Sequence, residues 1–582
     1  MKIYVVNSLK YFHVSYKPLL HARHHEDLIR IVASFKNQEM KRVKSFPTLT
    51  EKQIAIFEKE GKVKTYKAQE VIIDEGERGF DFFIVLEGEV DIIDPFQPDT
   101  LITTHTKREF TGDSDMLSQR ASVFKAVAKS DCKLIQVPHE KLSDILSTYP
   151  DLNDILITAF ILRRKELLKK NNSGFTLLGS RFSPETYVIR DFFSKNHLRY
   201  IWLDLEKDKK AEEILLNFNI KQEETPVIID ADFNVYRKPS LQDIAHHTGL
   251  SATIQEDKYD ILIVGAGPGG LAASVYGASE GLKTITIDKI GPGGQAGNSS
   301  KIENYLGFPT GISGSELANR AYTQAQKFGC TVSVPIEAET LIRHKNHFEL
   351  KTKEGKSIYA STVIAASGAK YRSLNVENID FYKGRGVFYG ATTTEANTCQ
   401  KEEVAIVGGG NSAGQAAMFL ATFAAKVHLI IRGDTLEKSM SSYLIKRVEN
   451  EPKIQVHTNS EITALEGEEH LERVILTNNK SKETSSLHLR NLFLFIGAVP
   501  ANDWLKDLIC MDRKGFILTG NELSAYDLQC FHWDLDRPPY PLETSQPGLF
   551  AVGDIRSGST KRVASSVGEG AMAISFIHNF FA

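Results

Sequence analysis

Paired thiols are the first thing this sequence lacks. Its five cysteines, Cys132, Cys330, Cys399, Cys510 and Cys530, form no CxxC pair and show no metal-ligand spacing, which argues against a local dithiol relay and against a metal site. Long apolar runs are missing too, so no segment reads as a bilayer span. The first residues, 1–17, mix Lys, Asn, His and Tyr through their apolar positions, unlike a signal peptide. Charge of one sign is also absent: 70 Lys and Arg against 73 Asp and Glu leave a formal net charge of −3. With no basic block interleaved with aromatics, neither nucleic acid nor a membrane surface is an expected partner. The expectation is a cytoplasmic protein that works on small molecules.

A chain of 582 residues is too long for one hydrophobic core, and roughly 150 residues per domain implies several units. Residues 40–169 contain the apolar run Phe82-Phe83-Ile84-Val85-Leu86, then Glu87-Gly88-Glu89 and Val90-Asp91-Ile92, which reads as strands joined by glycine turns. Apolar positions return at helical spacing over 141–168, so this unit is expected to be a small β-barrel closed by helices. The polar stretch 169–174 reads as a linker. Residues 175–250 then alternate strand, helix, strand, helix, strand, as a compact α/β unit does.

Two complete dinucleotide fingerprints follow. The strand Asp260-Ile261-Leu262-Ile263-Val264 runs into Gly265-Ala266-Gly267-Pro268-Gly269-Gly270. In that motif Gly265 permits the tight turn, Gly267 lets backbone approach a pyrophosphate, Gly270 lets helix and strand pack closely, and the helix N-terminus offers free N–H groups to phosphate. Asp288 closes the next strand, about 20 residues on, where a carboxylate bonds an adenosine ribose. A second copy, Glu403-Val404-Ala405-Ile406-Val407 before Gly408-Gly409-Gly410-Asn411-Ser412-Ala413, opens another helix. Its downstream strand ends at Ile431-Arg432 and not at a carboxylate, so Arg432 favours a 2′-phosphate and hence NADPH over NADH. Further on, an apolar strand ends in Gly553-Asp554, where a carboxylate can accept from a ribityl hydroxyl.

Together with Gly293-Gly294-Gln295, Ile302-Glu303-Asn304-Tyr305, Ala366-Ser367-Gly368-Ala369 and Phe495-Ile496-Gly497-Ala498, these motifs resemble the low-molecular-weight thioredoxin reductases. The resemblance covers nearly all of residues 258–582. It implies an FAD-binding domain at 258–375 and 497–582 and an NAD(P)H-binding domain at 376–496. FAD is implied on the glycines from 265 to 270, Gly294, Gln295, Asn304, Gly553 and Asp554. NADPH is implied on Gly408, Gly410, Asn411, Ser412, Ala413 and Arg432. A homodimer is implied as well.

The resemblance breaks where that family carries its redox pair. After Gly386-Val387-Phe388-Tyr389 stands Gly390-Ala391-Thr392-Thr393, so both cysteines are replaced, and neither Gly nor Thr can attack or resolve a disulfide. Thr393 and Glu395 are expected near the vacated space, with Glu395 as candidate proton donor. Residues 175–250 resemble glutaredoxin and thioredoxin domains, with Thr225-Pro226-Val227 at the cis-proline position and Ser183-Pro184-Glu185-Thr186 in place of CPxC. Residues 40–169 resemble cyclic nucleotide-binding domains, behind an N-terminal extension at 1–39. In the expected phosphate cassette Gly112 and Asp113 are the ribose-binding pair and Arg120 is the phosphate fork.

The expected function is therefore an FAD-dependent NAD(P)H oxidoreductase with a small-molecule or protein electron acceptor and a cyclic nucleotide as candidate effector. Alternatives are a flavin-based redox sensor, a ferredoxin reductase-like enzyme, and a thioredoxin reductase working through Cys399 and another cysteine. The insertion at 521–542 reads either as a flap over a substrate site or as a packing device.

Overall fold

A computed structural model describes residues 44–582, apart from 76, 78, 95–99, 113–115, 117–121, 123, 170–173, 231–232, 252–253, 255–257, 300, 392–394, 397–398 and the side chains of 100 and 164–169. The chain divides into two compact units at residues 170 and 171.

In the first unit, Thr50 and Gln53 cap each other's backbone N–H groups and so start helix α1 (Glu51–Glu60). Strands β1 (Lys62–Tyr66), β2 (Val71–Ile73), β3 (Phe82–Glu87), β4 (Val90–Asp94), β5 (Thr100–His105), β6 (Lys125–Ala128) and β7 (Cys132–Val137) follow, then helices α2 (His139–Thr148) and α3 (Pro150–Lys169). Phe57, Phe82, Phe110 and Phe160 form a buried run with successive centroid spacings of 5.3, 5.5 and 6.2 Å. Each such ring contributes roughly 1.5–3 kcal/mol by burial, so this run ties α1 and α3 to the sheets.

The expected barrel does not close. Among the described residues the strands form two sheets, ordered β1-β7-β3 and β2-β6-β4-β5. Alternation and glycine turns specify strands locally, whereas closure requires pairing between distant sheet edges, which no local pattern encodes.

The second unit begins with β8 (Phe175–Gly179), α4 (Pro184–Lys195), β9 (Tyr200–Asp204), β10 (Val227–Ile229) and β11 (Val235–Arg237), a sheet of order β11-β10-β8-β9. Its Thr225–Pro226 peptide is cis. A larger sheet comprises β12 (Tyr259–Val264), β13 (Thr284–Ile287), β14 (Thr331–Ser333), β15 (Ala338–Arg343), β16 (Phe348–Thr352) and β17 (Ser357–Ala365), in the order β14-β13-β12-β17-β16-β15. Helix α5 (Pro268–Ser279) follows β12. The chain then crosses through β18 (Ala369–Tyr371) into the sheet β19-β26-β20-β21-β22. That sheet contains β19 (Val387–Phe388), β20 (Glu403–Val407), β21 (Lys426–Ile430), β22 (Ile454–His457) and β26 (Asn491–Leu494), with helix α6 (Asn411–Leu420) after β20. A small antiparallel sheet, β23 (Ser460–Glu466), β24 (Arg473–Asn478) and β25 (Thr484–His488), interrupts it.

The chain returns through β27 (Ala498–Pro500), which pairs with β18, to β28 (Leu549–Ala551) beside β17 and the last helix α7 (Val563–Phe581). Strand β12 lies between β13 and β17, and β20 between β21 and β26, all parallel. Both glycine turns thus leave the carboxyl ends of strands at which the sheet order reverses, the positions where open α/β sheets bind nucleotides.

Candidate functional site

Gly265 turns the chain out of β12 at φ +112°, and a Cβ there would stand 2.4 Å from the Ala366 carbonyl oxygen. Only glycine satisfies both demands. Gly267 differs: the nearest atom to a Cβ would be Gly294 Cα at 3.9 Å, so its backbone faces open space. That space is a cleft of about 860 Å³, within the size class of ligand sites, roughly 300–1,000 Å³. Gly265, Gly267, Gly269, Asp288, Gly294, Gln295, Gly553 and Asp554 all line it, and so does Ser412 of the second glycine turn. Gly270 is buried at the start of α5 and packs against the Gly265 carbonyl.

Asp288 is already engaged. Its Oδ2 accepts from Ala266 N at 2.9 Å, and its Oδ1 accepts from Ile290 N and Gly291 N at 2.9 and 3.0 Å. A carboxylate has about four acceptor positions, so Asp288 braces the turn and retains capacity for a ligand hydroxyl. Gln295 Nε2 donates to the Ala369 carbonyl, joining the loop to the crossover strand. Asn304 is exposed and stands outside the cleft wall.

Burial holds the Asp554 carboxyl above the usual range, with Lys561 opposing and Glu569 reinforcing the shift. Three groups around it carry no sequence motif. Glu569 Oε2 accepts from Gly553 N at 2.6 Å and its Oε1 from Arg556 Nη2 at 2.8 Å. Lys561 Nζ donates to the Asp554 carbonyl at 3.0 Å. Tyr371, on β18, lines the cleft, and its phenol is pushed up to about 12 by burial and then by the charges of Asp554 and Glu395.

At the second turn, a Cβ on Gly408 would stand 2.5 Å from the Phe495 carbonyl oxygen. Gly410 caps α6, Ala413 is core, and Asn411 Oδ1 accepts from Ser441 N at 2.7 Å. Arg432 stands exposed just beyond β21. Glu395 is 3% exposed and sits behind Tyr371 without lining the cleft. Its Oε1 accepts from the Tyr187 hydroxyl of α4 at 2.9 Å. Thr393 lies outside the described residues, as do Asp113 and Arg120 of the cassette. Gly112 is a φ +102° turn whose carbonyl accepts from Arg163 Nη1 at 2.8 Å.

The insertion is a packing device. Arg537 pairs with the fully buried Glu543 at 2.7 Å and lies 3.8 Å over the Tyr540 ring, which stacks on Phe576 of α7 at 5.6 Å. None of residues 521–542 lines the cleft.

Residues 259–570 match the pyridine nucleotide-disulphide oxidoreductase family. The chain belongs to that family. Residues 63–149 match the cyclic nucleotide-binding domain, so a thioredoxin reductase-like module is fused to a cyclic nucleotide-binding domain. The thioredoxin reductase of Treponema pallidum is 33% identical over 318 residues, 55% of this chain and 95% of that protein. The Bacillus subtilis thioredoxin reductase is 31% identical over 327 residues, covering 56% and 96% respectively. The crystal structure of Lactococcus lactis thioredoxin reductase in its FR conformation superimposes with a TM-score of 0.50 at 27% identity, over 56% of this chain and 99% of that one. This reductase is an FAD-dependent NAD(P)H oxidoreductase, and FAD and NADPH are its family's cofactors. The open cradle at Gly267 and the cleft fit FAD, and Ser412 brings the second turn to the same cleft. Among the described residues no helix is long and apolar enough to cross a membrane.

Proposed function

We propose that this reductase takes electrons from NADPH and delivers them to an external acceptor without an internal dithiol. The observation that carries this reading is that none of the five cysteines lines the cleft that the first glycine turn shares with Ser412 of the second, and that four of the five are buried. FAD, when bound, supplies hydride acceptance and onward electron transfer.

The chain's own residues bind and orient. Gly265, Gly267, Gly269 and Gly270 present the α5 N-terminus to the pyrophosphate. Asp288 would hold the adenosine ribose, Gly294 and Gln295 would close the opposite wall, and Gly553 and Asp554 would hold the ribityl chain. Gly408, Gly410, Asn411, Ser412 and Ala413 would hold NADPH, and Arg432 would pair with its 2′-phosphate. Glu395 acts as a charge behind Tyr371.

Mixing the FAD-loaded protein anaerobically with NADPH is expected to bleach the flavin in seconds. An acceptor screen following NADPH oxidation, with quinones, oxygen, a one-electron carrier protein and a disulfide, then identifies the acceptor. Bleaching slower than minutes sinks the reading. Dithiol activity requires that disulfide reduction be lost when all five cysteines become Ser.

The N-terminal unit is proposed to bind a cyclic nucleotide through Gly112, Asp113 and Arg120 and to regulate the reductase, which on family resemblance works as a homodimer. Calorimetric titration of cyclic AMP and cyclic GMP into wild type and Arg120→Ala tests this, and absent wild-type binding removes it.

A further inference from the structure

Residues 175–250 touch both nucleotide-binding parts of the second unit. On one side Asn196 Nδ2 donates to the Ile290 carbonyl at 2.8 Å, beside the loop that leads to Gly294. On the other, the Phe182 ring stacks on His470 at 4.0 Å and 13°, and Arg181 Nη1 lies 3.8 Å from Glu402. Between them in sequence, Pro184 of α4 lies against Gly384 and Tyr187 reaches Glu395. Ser183 Oγ accepts from Thr186 N at 3.1 Å and Pro184 occupies the first turn, so the helix start is fixed. Tyr187 follows directly.

We propose that Tyr187 is a positioning residue of the reductase site, whose hydroxyl holds the buried Glu395 carboxylate behind Tyr371 and makes residues 175–250 a fixed part of that site. The proposal rests on reading the cleft as the flavin site.

A carboxylate that is 3% exposed needs hydrogen bonds and charge compensation. Tyr187 supplies a hydrogen bond at 2.9 Å. Arg190, one turn further along α4 and 3.6 Å over the Trp202 ring, supplies positive charge. Tyr371 faces Glu395 from the crossover strand. Behind these three stand Asp191 near Tyr187, Tyr200 and Asp204 near Arg190, and Asp554 near Tyr371. Burial first, and then the Glu395 charge, keeps the Tyr187 phenol protonated well above its ordinary range. It is therefore a donor at every working pH.

The aromatic ring alone has another role, packing 5.8 Å from Phe388. A phenylalanine would keep that contact. Only the hydroxyl serves the carboxylate, so Tyr187→Phe separates positioning from packing.

Reduction makes a flavin site more negative and raises the pKa of a nearby carboxylate, and by linkage the flavin potential then bends with pH across that interval. The test is a dithionite titration of the full, FAD-loaded chain, with the midpoint potential followed from pH 5 to pH 9. Wild type is expected to show a bend, and Tyr187→Phe, having lost a hydrogen bond to the charged form, to move it upward by about one pH unit. Glu395→Gln is expected to leave only the bend of the reduced flavin's own N1 ionisation, and the double variant to match Glu395→Gln.

A folded, FAD-loaded Tyr187→Phe whose bend stays at the wild-type pH overturns the proposal. So does a Glu395→Gln curve that coincides with wild type, which decides the matter should Tyr187→Phe fold poorly. Because dithionite replaces NADPH, a wild type that fails to oxidise NADPH sinks the proposed function and leaves this titration readable.

Discussion

Glu569 holds the amide of Gly553 at 2.6 Å, reaching from the second turn of α7 to the residue next to Asp554. Removing this carboxylate leaves a buried amide and Arg556 without their closest acceptor. Glu569→Ala is expected to cost about 3 kcal/mol of stability, as breaking a buried pair does, and to lower FAD content. Glu569→Gln keeps an acceptor and is expected to cost about 1 kcal/mol. Denaturation midpoints and the flavin-to-protein absorbance ratio check both; full FAD content in Glu569→Ala would remove Glu569 from the site.

Gly265 and Gly267 are expected to fail differently. At Gly265 an added Cβ meets the Ala366 carbonyl oxygen at 2.4 Å with φ at +112°, so Gly265→Ala destabilises the protein by about 1–3 kcal/mol. Gly267 has φ −72° and faces the cleft, so Gly267→Val keeps the apo fold while weakening FAD at least about tenfold, or 1.4 kcal/mol. Melting of the apo proteins against FAD titration separates the two. Equal losses of stability would contradict the assignment of Gly267 to the ligand.

Arg432 is exposed at the end of β21, available to a 2′-phosphate. Arg432→Ala is expected to raise KM for NADPH about tenfold, equivalent to roughly 1.4 kcal/mol of lost binding, with KM for NADH unchanged. Steady-state kinetics with both nucleotides decides it, and parallel changes in the two KM values would exclude a role in selectivity.

In the first unit, burial lowers His105 from 6.5 to about 4, with Glu109 opposing and Arg163 assisting. The folded imidazole is neutral where the unfolded one is charged. The unfolded state therefore binds more protons between pH 6.5 and about 4, and stability falls as pH is lowered through that interval, by about 3 kcal/mol at most. Hydrogen exchange of β4 and β5 in the full chain should quicken over this range in wild type and stay flat in His105→Phe. A wild-type profile that is flat as well would assign the acid sensitivity elsewhere.

Much of the site was legible in the sequence because glycine turns are local. A strand followed by Gly265 to Gly270 specifies its own geometry, and so does the copy at Gly408. Glu569, Lys561 and Tyr371 were not legible, because no motif marks them: Lys561 and Glu569 meet the Gly553–Asp554 turn from 7 and 16 residues away, and Tyr371 enters the cleft from the crossover strand. Asp288 was placed by spacing, yet two of its three backbone donors depend on how the loop at 290–291 folds back. Sheet closure in the first unit and the resting place of the insertion were not legible for the same reason: both are decided by remote partners, here Phe576 and Arg343 for the insertion. Glu395 was placed by its position after the lost cysteines, while its partner Tyr187 lies 208 residues away.

The stacking of Phe182 on His470, together with the hydroxyl that Tyr187 lends to Glu395, bears on how the chain can evolve. Deleting residues 175–250 would uncover an aromatic face and strip a hydrogen bond from a buried carboxylate at one stroke. A segment held in this way is not shed by a single genetic event without loss to the reductase part. Positions 182 and 470, and 187 and 395, are therefore expected to change together or not at all across descendants of this fusion.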